Sequence, residues 1–306
     1  MKKEKILITG GSGFVGTNFI NKFPQEIYDI FSIDIEEPNI ILDKVNYINM
    51  DIRSNDIGNL IKKIDPKIIL HLAAQSSVSV SSRNPTLDSD INLTGSLNLF
   101  LNSIKLNVEQ FIFFSTGGAI YGEELGKNFN ESDFTAPLSP YGISKLNFEN
   151  YLRYYSAINK FNGRITIIRP SNIYGPWQNP EGEAGVVSIF ANKMLNNEDV
   201  SIFGNGNEYR DYIYIEDVIN FVFKIIDNEE TGIFNISSGE TTKTIDIFNN
   251  ISNIIGYKNP PVFLDSREGD IFGIEIDNSK SKSIGWKPRF NLKSGLTETI
   301  NFLIKK

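Results

Sequence analysis

The chain has 306 residues, twice an average domain of about 150, which suits a large α/β protein with an appended lobe. Hydrophobic residues make up 40% and charged residues 22%, with 24 glycines, 12 prolines and no cysteine, which excludes disordered and collagen-like chains, disulfide scaffolds, thiolate metal sites and a cysteine nucleophile. The formal charge of -7 repels nucleic acid and anionic membrane, so neither is an expected partner and an anionic substrate needs a local basic pocket.

At the start, Lys2, Lys3 and Lys5 flank only Ile6-Leu7-Ile8, too short for the apolar core of an export signal, and no run of 18 uncharged apolar residues follows. A cytoplasmic location away from membranes is the expectation. Short apolar runs then alternate with amphipathic stretches, the rhythm of a parallel sheet with helical crossovers. Strands are predicted at Lys5–Thr9, Tyr28–Ile33, Asn46–Asn49, Ile68–His71, Gln110–Ser115 and Ile165–Arg169, and helices near Gly13–Asn21, Ile57–Lys63, Asp88–Asn107 and Tyr141–Asn159. After Pro170 the pattern loosens into Gly/Pro/Asn-rich segments, such as Tyr174 to Pro180, before shorter elements resume. The expected fold is therefore α/β: a Rossmann-type doubly wound parallel sheet over residues 1–171, with a smaller α/β substrate-binding lobe over 172–306 whose segments partly return to the first domain.

Between the first strand and the first helix stands Gly10-Gly11-Ser12-Gly13-Phe14-Val15-Gly16. Gly10 permits a tight turn, Gly13 lets backbone approach a pyrophosphate, Gly16 allows close helix–strand packing, and the helix N-terminus attracts the phosphate charge. Asp34, at the end of the second strand, sits where a carboxylate accepts hydrogen bonds from ribose hydroxyls. With Glu36-Glu37 next to it and no Arg or Lys close behind, the combination favours NAD over NADP.

Tyr141 and Lys145 lie four residues apart at a helix start marked by Ser139-Pro140, on one helix face. A phenol is a weak base at neutral pH, and a neighbouring ammonium favours its ionised form, so this pair can take a hydroxyl proton; the alternative is a solvated helix face. His71, the only histidine, ends an apolar strand and is expected to be structural.

Further stretches recur in order: Asp51-Ile52, His71 to Ser76, Asn92 to Gly95, Phe114 to Gly122, Arg169 to Pro176, Phe203 to Gly206, Arg210 to Tyr212, Arg267 to Asp270 and Gly285 to Pro288. Together with the glycine loop and Tyr141/Lys145, they make the chain resemble, along almost its whole length, extended short-chain dehydrogenase/reductases of the nucleotide-sugar epimerase/dehydratase family, of the UDP-glucose 4-epimerase kind. The resemblance implies NAD as cofactor, held by Gly10, Gly13, Phe14, Val15, Gly16 and Asp34. Asp51 and Ile52 would lie beside the adenine, Leu72, Ala73, Ala74 and Asn92 along the dinucleotide, with Ser115, Tyr141, Lys145 and Pro170 completing its site. It assigns the sugar nucleotide to Ser76, Thr116, Tyr141, Asn172, Arg210, Arg267 and Asp270, and catalysis to Tyr141, Lys145 and Thr116. It also implies C4 epimerisation of a UDP-hexose, UDP-glucose or UDP-galactose, through a 4-keto sugar, in a homodimer formed through the helices near Asp88–Asn107 and Tyr141–Asn159. The alternatives are another nucleotide-sugar oxidoreductase or dehydratase, or a catalytically silent NAD-binding protein.

One departure from the family pattern stands out. The position that usually carries the catalytic Ser or Thr is Gly117 here, and the nearest hydroxyl is Thr116. Gly118 and Ala119 fall where family dehydratases carry an acidic pair, and Glu123 and Glu124 substitute only if their loop folds back over the sugar. Ile274 is expected to limit the bulk of the sugar's C2 substituent.

Overall fold

A computed structural model describes residues 3–181, 185–266 and 271–305. Five strands come first, β1 (Glu4–Thr9), β2 (Tyr28–Asp34), β3 (Val45–Asn49), β4 (Ile68–His71) and β5 (Gln110–Phe114), followed by the two-residue β6 (Asn128–Phe129), β7 (Arg164–Pro170) and β8 (Asn172–Tyr174). After these come β9 (Ser201–Phe203), β10 (Tyr209–Tyr214), β11 (Gly232–Ile236), β12 (Thr241–Lys243), β13 (Val262–Leu264) and β14 (Glu275–Ile276). Seven of them form one parallel sheet in the order β11-β7-β5-β4-β1-β2-β3. The six strands expected from the apolar runs are all there; the seventh, β11, is supplied from the second half of the chain.

Because the sheet is covered on both faces, its strands are buried on alternate sides. Ile6, Ile8, Leu70, Ile112 and Ile168 join the core shared with helices Phe14–Lys22 and Ile215–Asp227, while Leu7, Ile69, Phe111, Phe113 and Ile167 face helices Ile57–Ile64, Ser96–Ser103 and Pro140–Ala157. Each fully buried Leu, Ile or Phe contributes about 1.5–3 kcal/mol by leaving water. The strand order reverses between β1 and β4, and the crevice at their carboxyl ends is where open α/β sheets bind ligands.

The helix expected near Asp88–Asn107 is present, running without interruption from Pro85 to Ser103 as an α-helical piece Pro85–Ser89, a π-helical turn over Asp90–Gly95 and an α-helix over Ser96–Ser103; a separate short helix, Val78–Arg83, precedes it. Asn84 caps the Pro85–Ser89 piece by accepting from the Leu87 amide, and Pro85 starts it. Gly95 lies against Ile52 and Arg53, whose side chains would stand 3.0 Å from a Cβ there, so the irregular turn brings two segments into close contact.

The second lobe is built on β10, which pairs with β8 on one side and β12 on the other, backed by helices Val186–Leu195, Thr244–Ile255 and Leu292–Lys305. Its family-like motifs are partly structural. Asp211 accepts from Ser171 Oγ and the amides of Ser238 and Gly239, each at 2.8 Å, and Asp217 accepts from the Arg289 and Phe290 amides while its carbonyl accepts from the Trp286 indole. Among the described residues no helix is long and apolar enough to cross a membrane.

Candidate active site

The glycine loop closes the crevice from below. Gly10 adopts φ +72°, and a Cβ there would meet the Ala73 backbone nitrogen at 2.6 Å, so only glycine lets the loops after β1 and β4 approach this closely. A Cβ on Gly16 would lie 2.2 Å from the Gly10 carbonyl oxygen. Gly13, by contrast, has only one neighbour within contact range, at 3.4 Å, and caps helix Phe14–Lys22 with its side open to the crevice. At the end of β2 the Asp34 carboxylate accepts from the Ser12 amide at 2.9 Å and the Glu36 amide at 3.1 Å, which fixes it beside the loop.

Above this loop lies a cavity of about 870 Å³. It is lined by Gly10, Gly13, Phe14, Val15, Gly16, Asp34, Asp51 and Ile52 at one end, and by Leu72, Ala73, Ala74, Ser76, Ser115, Thr116, Tyr141, Lys145 and Pro170 along its length. Asn172 and Arg210 line it from the second lobe. The fold thus brings together nearly every residue singled out from the sequence. Arg267 and Asp270 lie outside the described residues.

Two expectations change. Asn92 is not on the cavity wall: it is 1% exposed, and its side chain accepts from the Gln75 amide at 2.9 Å and donates to the Gln75 carbonyl at 2.8 Å, so it holds the lining segment from behind. Ile274 does not reach the cavity either; it is buried in a satellite core with Ile120, Tyr121, Phe129 and Ile276. Its neighbour Gly273 packs against the Tyr209 ring.

Helix Pro140–Ala157 presents Tyr141 and Lys145 to the cavity. Ser139 caps it by accepting from the Gly142 amide, and Pro140 supplies its first turn. Tyr141 keeps partial contact with solvent through the cavity yet is enclosed by protein, and burial pushes its phenol up to about 12 although a hydrogen bond with the Thr116 side chain pulls the other way. Lys145, 3% exposed, donates to the Phe114 carbonyl at 2.9 Å, with its ammonium 5.9 Å from the Tyr141 ring centre. Burial lowers it to about 8. The expected ammonium-driven fall of the phenol's pKa is not seen: burial dominates, and the Thr116 hydrogen bond is what opposes it.

Gly117 faces away from the cavity. A Cβ there would meet Ile276 Cδ1 at 2.6 Å and the carbonyl oxygens of Arg169 and Pro170 at 3.1 Å, so packing explains the glycine. Thr116, the nearest hydroxyl, is the one the structure brings to Tyr141. Gly118 and Ala119 line the cavity without any acid–base group, while Glu123 is held elsewhere by the Phe272 and Gly273 amides.

His71 is 1% exposed and has the structural role expected. Ser96 Oγ donates to the Asn92 carbonyl, so His71 Nε2 donates to Ser96 Oγ at 2.9 Å and Nδ1 accepts from Thr9 Oγ1 at 2.7 Å. The neutral ring, held down to about 3 by burial, thereby fixes Thr9, whose oxygen accepts from the Leu72 and Ala73 amides at the crevice.

Sequence reasoning missed Gln75, Arg53 and Asp88. Gln75 lines the cavity inside a stretch that had been noticed but not assigned; Arg53 lines its far end, paired with Asp51 at 2.6 Å and Asp90 at 2.7 Å; Asp88 is wholly buried behind Gln75. No spacing rule marks them: Gln75 and Asp88 meet across 13 residues and Arg53 reaches Asp90 across 37, while the Asp51–Arg53 pair alone reads as an ordinary surface ion pair.

The cradle fits a dinucleotide. It offers a glycine-lined helix N-terminus, a fixed carboxylate at the end of β2, and a buried Ser115 hydroxyl that lines the cavity with no hydrogen-bond partner among the described residues.

Comparison with known proteins agrees with this geometry. The model of the NAD dependent epimerase/dehydratase family matches residues 6–237. The chain is similar to the UDP-glucose 4-epimerase of Thermotoga maritima solved with UDP-glucose, at TM-score 0.93 and 36% identity over 98% of this chain and 99% of that one. A UDP-glucose 4-epimerase of Thermus thermophilus solved with NAD gives TM-score 0.92 and 31% identity over the same shares, 98% and 99%. The relatives also include a dTDP-4-dehydro-6-deoxyglucose reductase of Escherichia coli, 30% identical over 98% of this chain and 97% of its own length. The chain is an enzyme of the NAD-dependent epimerase/dehydratase family, and its cofactor is NAD.

Proposed function

We propose that the chain interconverts the C4 epimers of a UDP-hexose, UDP-glucose and UDP-galactose, through a 4-keto sugar. The observation that carries this reading is the composition of the cavity around Tyr141: a phenol joined to a threonine hydroxyl, a buried lysine beside them, and glycine and alanine where water elimination needs carboxylates.

Bound NAD would supply the redox half of the reaction, removing and restoring the hydrogen at C4. The chain's own residues handle protons and position. Tyr141 takes the proton of the sugar's 4-hydroxyl as the carbonyl forms and gives it back on the return step. Thr116 hydrogen-bonds the same oxygen region and lowers the cost of ionising the phenol. Lys145 places positive charge one helical turn away, which favours the phenolate once its ammonium is drawn toward the site.

Asn172 and Arg210 stand on the opposite wall. Arg210 also donates to the carbonyls of Tyr209 and Ile271 at 2.8 and 2.7 Å, which holds its guanidinium in place. A fixed planar cation suits a diphosphate, and binding energy from the nucleotide end retains the keto sugar while the ring turns over. A homodimer in the cytoplasm completes the proposal: Ile143, Tyr151 and Tyr154 are exposed apolar residues on helix Pro140–Ala157.

Incubation with UDP-glucose, followed by NMR, should give UDP-galactose with no net consumption of added NAD. A 6-deoxy-4-keto sugar as the main product, or no turnover of either UDP-hexose, overturns the assignment.

A further inference from the structure

Arg169 stands one residue before the end of β7, is 2% exposed, and lies behind the stretch of cavity wall that Pro170 and Asn172 line. Its Nε donates to both carboxylate oxygens of Glu149, at 3.1 and 3.2 Å, and its Nη2 donates to Glu149 Oε2 at 2.6 Å. Nη1 donates to the Tyr121 hydroxyl at 2.8 Å, which itself donates to Asn235 Oδ1 at 2.7 Å. Glu149, Tyr121 and Asn235 are buried as well. Such a pair is weak evidence for stability, since apolar residues of like volume often hold a core as well as a buried ion pair does. What it adds is direction: a planar guanidinium binds partners set at fixed angles around it.

Those partners belong to the two pieces of the cavity wall that carry Tyr141 and Thr116. Glu149 follows Lys145 by four residues and Tyr141 by eight on helix Pro140–Ala157, one and two turns further along. Tyr121 ends helix Gly117–Ile120, the short element that starts at Thr116. The two elements touch directly, because a Cβ on Gly142, the residue after Tyr141, would stand 2.3 Å from the Ala119 carbonyl oxygen. Contact alone lets one element slide over the other. The guanidinium ties each of them to the end of β7.

We propose that Arg169 is a positioning residue for the reaction: bonded to Glu149 and to Tyr121, its guanidinium fixes how the elements carrying Tyr141 and Thr116 sit against each other. This rests on the catalytic reading given above, and no proton passes through the guanidinium in it. Misplacing a reacting pair by ~1 Å can cost about 10²-fold in rate, so a brace behind the wall has a kinetic effect larger than its share of stability.

Tyr121→Phe tests this, because it cuts the guanidinium's link to the Thr116 side and leaves the buried ion pair intact. For UDP-glucose kcat should fall about tenfold with KM within about twofold of wild type, and the fall should vanish in a Thr116→Ala background, where no hydroxyl is left to place. Tyr257→Phe is the control: it removes another buried tyrosine hydroxyl, one that donates to the Glu198 carbonyl at 2.7 Å, and should leave kcat unchanged. A second readout needs no turnover. In protein labelled with carbon-13 at tyrosine Cζ, with NAD bound as purified, the NMR line of Tyr141 is identified by its loss in Tyr141→Phe. It should move in Tyr121→Phe toward its position in Thr116→Ala and stay in place in Tyr257→Phe. Arg169→Lys, which keeps the charge and loses the fork, should move it the same way. An unmoved Tyr141 line in folded Tyr121→Phe, an equal movement in Tyr257→Phe, or a fall in kcat that persists in full in the Thr116→Ala background overturns the proposal. Failure of both Tyr121→Phe and Arg169→Lys to fold would overturn it too, making Arg169 a structural residue only. Absence of UDP-hexose turnover in the wild type would instead count against the epimerase reading, leaving the Tyr141 line to judge Arg169.

Discussion

Thr116 and Tyr141 meet side chain to side chain at the cavity, from the end of β5 and the start of helix Pro140–Ala157, while Gly117 turns inward against Ile276. The hydroxyl that partners the phenol therefore stands one residue earlier than the family alignment places it. Thr116→Ala removes the hydrogen bond that lowers the phenol's pKa, so kcat should fall about a hundredfold while the affinity for UDP, bound at the opposite wall, changes little. Steady-state kinetics with UDP competition separates the two effects; an unchanged kcat removes Thr116 from the site.

Tyr141→Phe keeps the ring that fills the cavity wall and deletes only the proton acceptor. NAD retention should be unchanged and turnover should drop by about 10²–10⁴-fold, the usual contribution of a positioned acid–base group. Cofactor content of the purified variant is read by absorbance and turnover by NMR. Wild-type turnover in this variant would exclude the phenol as base.

Restoring the family's usual hydroxyl at Gly117 should not help. A serine Cβ would stand 2.6 Å from Ile276 Cδ1 and 3.1 Å from two carbonyl oxygens, so Gly117→Ser overpacks a closed contact and should destabilise the fold by about 1–3 kcal/mol without raising kcat. Thermal unfolding measures the first and kinetics the second. A more active, equally stable Gly117→Ser would show that the inward side of this residue has room the packing denies it.

The sheet was legible from apolar runs because a doubly wound sheet buries its strands on both faces, and β1, β2, β4, β5 and β7 carry little else. The glycine loop and the Tyr141/Lys145 pair were legible because their chemistry is local. What escaped was polar and distant. The helix expected near Asp88–Asn107 forms, but its π-helical turn and the inward-facing Asp88, Asn92 and Ser96 were not legible, because these reach Gln75 and His71, partners 13 to 25 residues away, and no hydrophobic period reports inward-facing polar groups. Ile274, expected against the sugar's C2 substituent, is buried in a core with Ile120, Tyr121, Phe129 and Ile276 instead.

His71 gives the fold an acid-sensitive joint. Its pKa falls from an ordinary 6.5 to about 3 on burial, so the unfolded chain binds a proton that the folded one refuses. Stability is complete above pH 6.5 and is lost as pH falls from there toward 3, by up to about 5 kcal/mol from this group. Denaturant unfolding between pH 7 and 4 should show His71→Gln losing less stability over this interval than the wild type, even if it starts lower. Parallel curves would mean that His71 is not the residue responsible.

Cofactor choice follows from the far end of the cavity. Both oxygens of Asp34 accept backbone amides, from Ser12 and from Glu36, so the carboxylate cannot swing away from an incoming 2′-phosphate. Arg53 is the cation at this end that the sequence did not reveal, but Asp51 and Asp90 grip it at 2.6 and 2.7 Å, and this trio carries a net negative charge of its own. A phosphate would meet three carboxylates around one engaged guanidinium, with the exposed Glu36 and Glu37 nearby. NAD should therefore bind at least about tenfold tighter than NADP, a difference of about 1.4 kcal/mol. Replacing Asp34 by Gly together with Asp90 by Asn should narrow the gap, because one change clears the fixed carboxylate and the other loosens Arg53 toward the phosphate. Calorimetry on the stripped protein measures both affinities; equal binding of the two cofactors by the wild type would refute the electrostatic account.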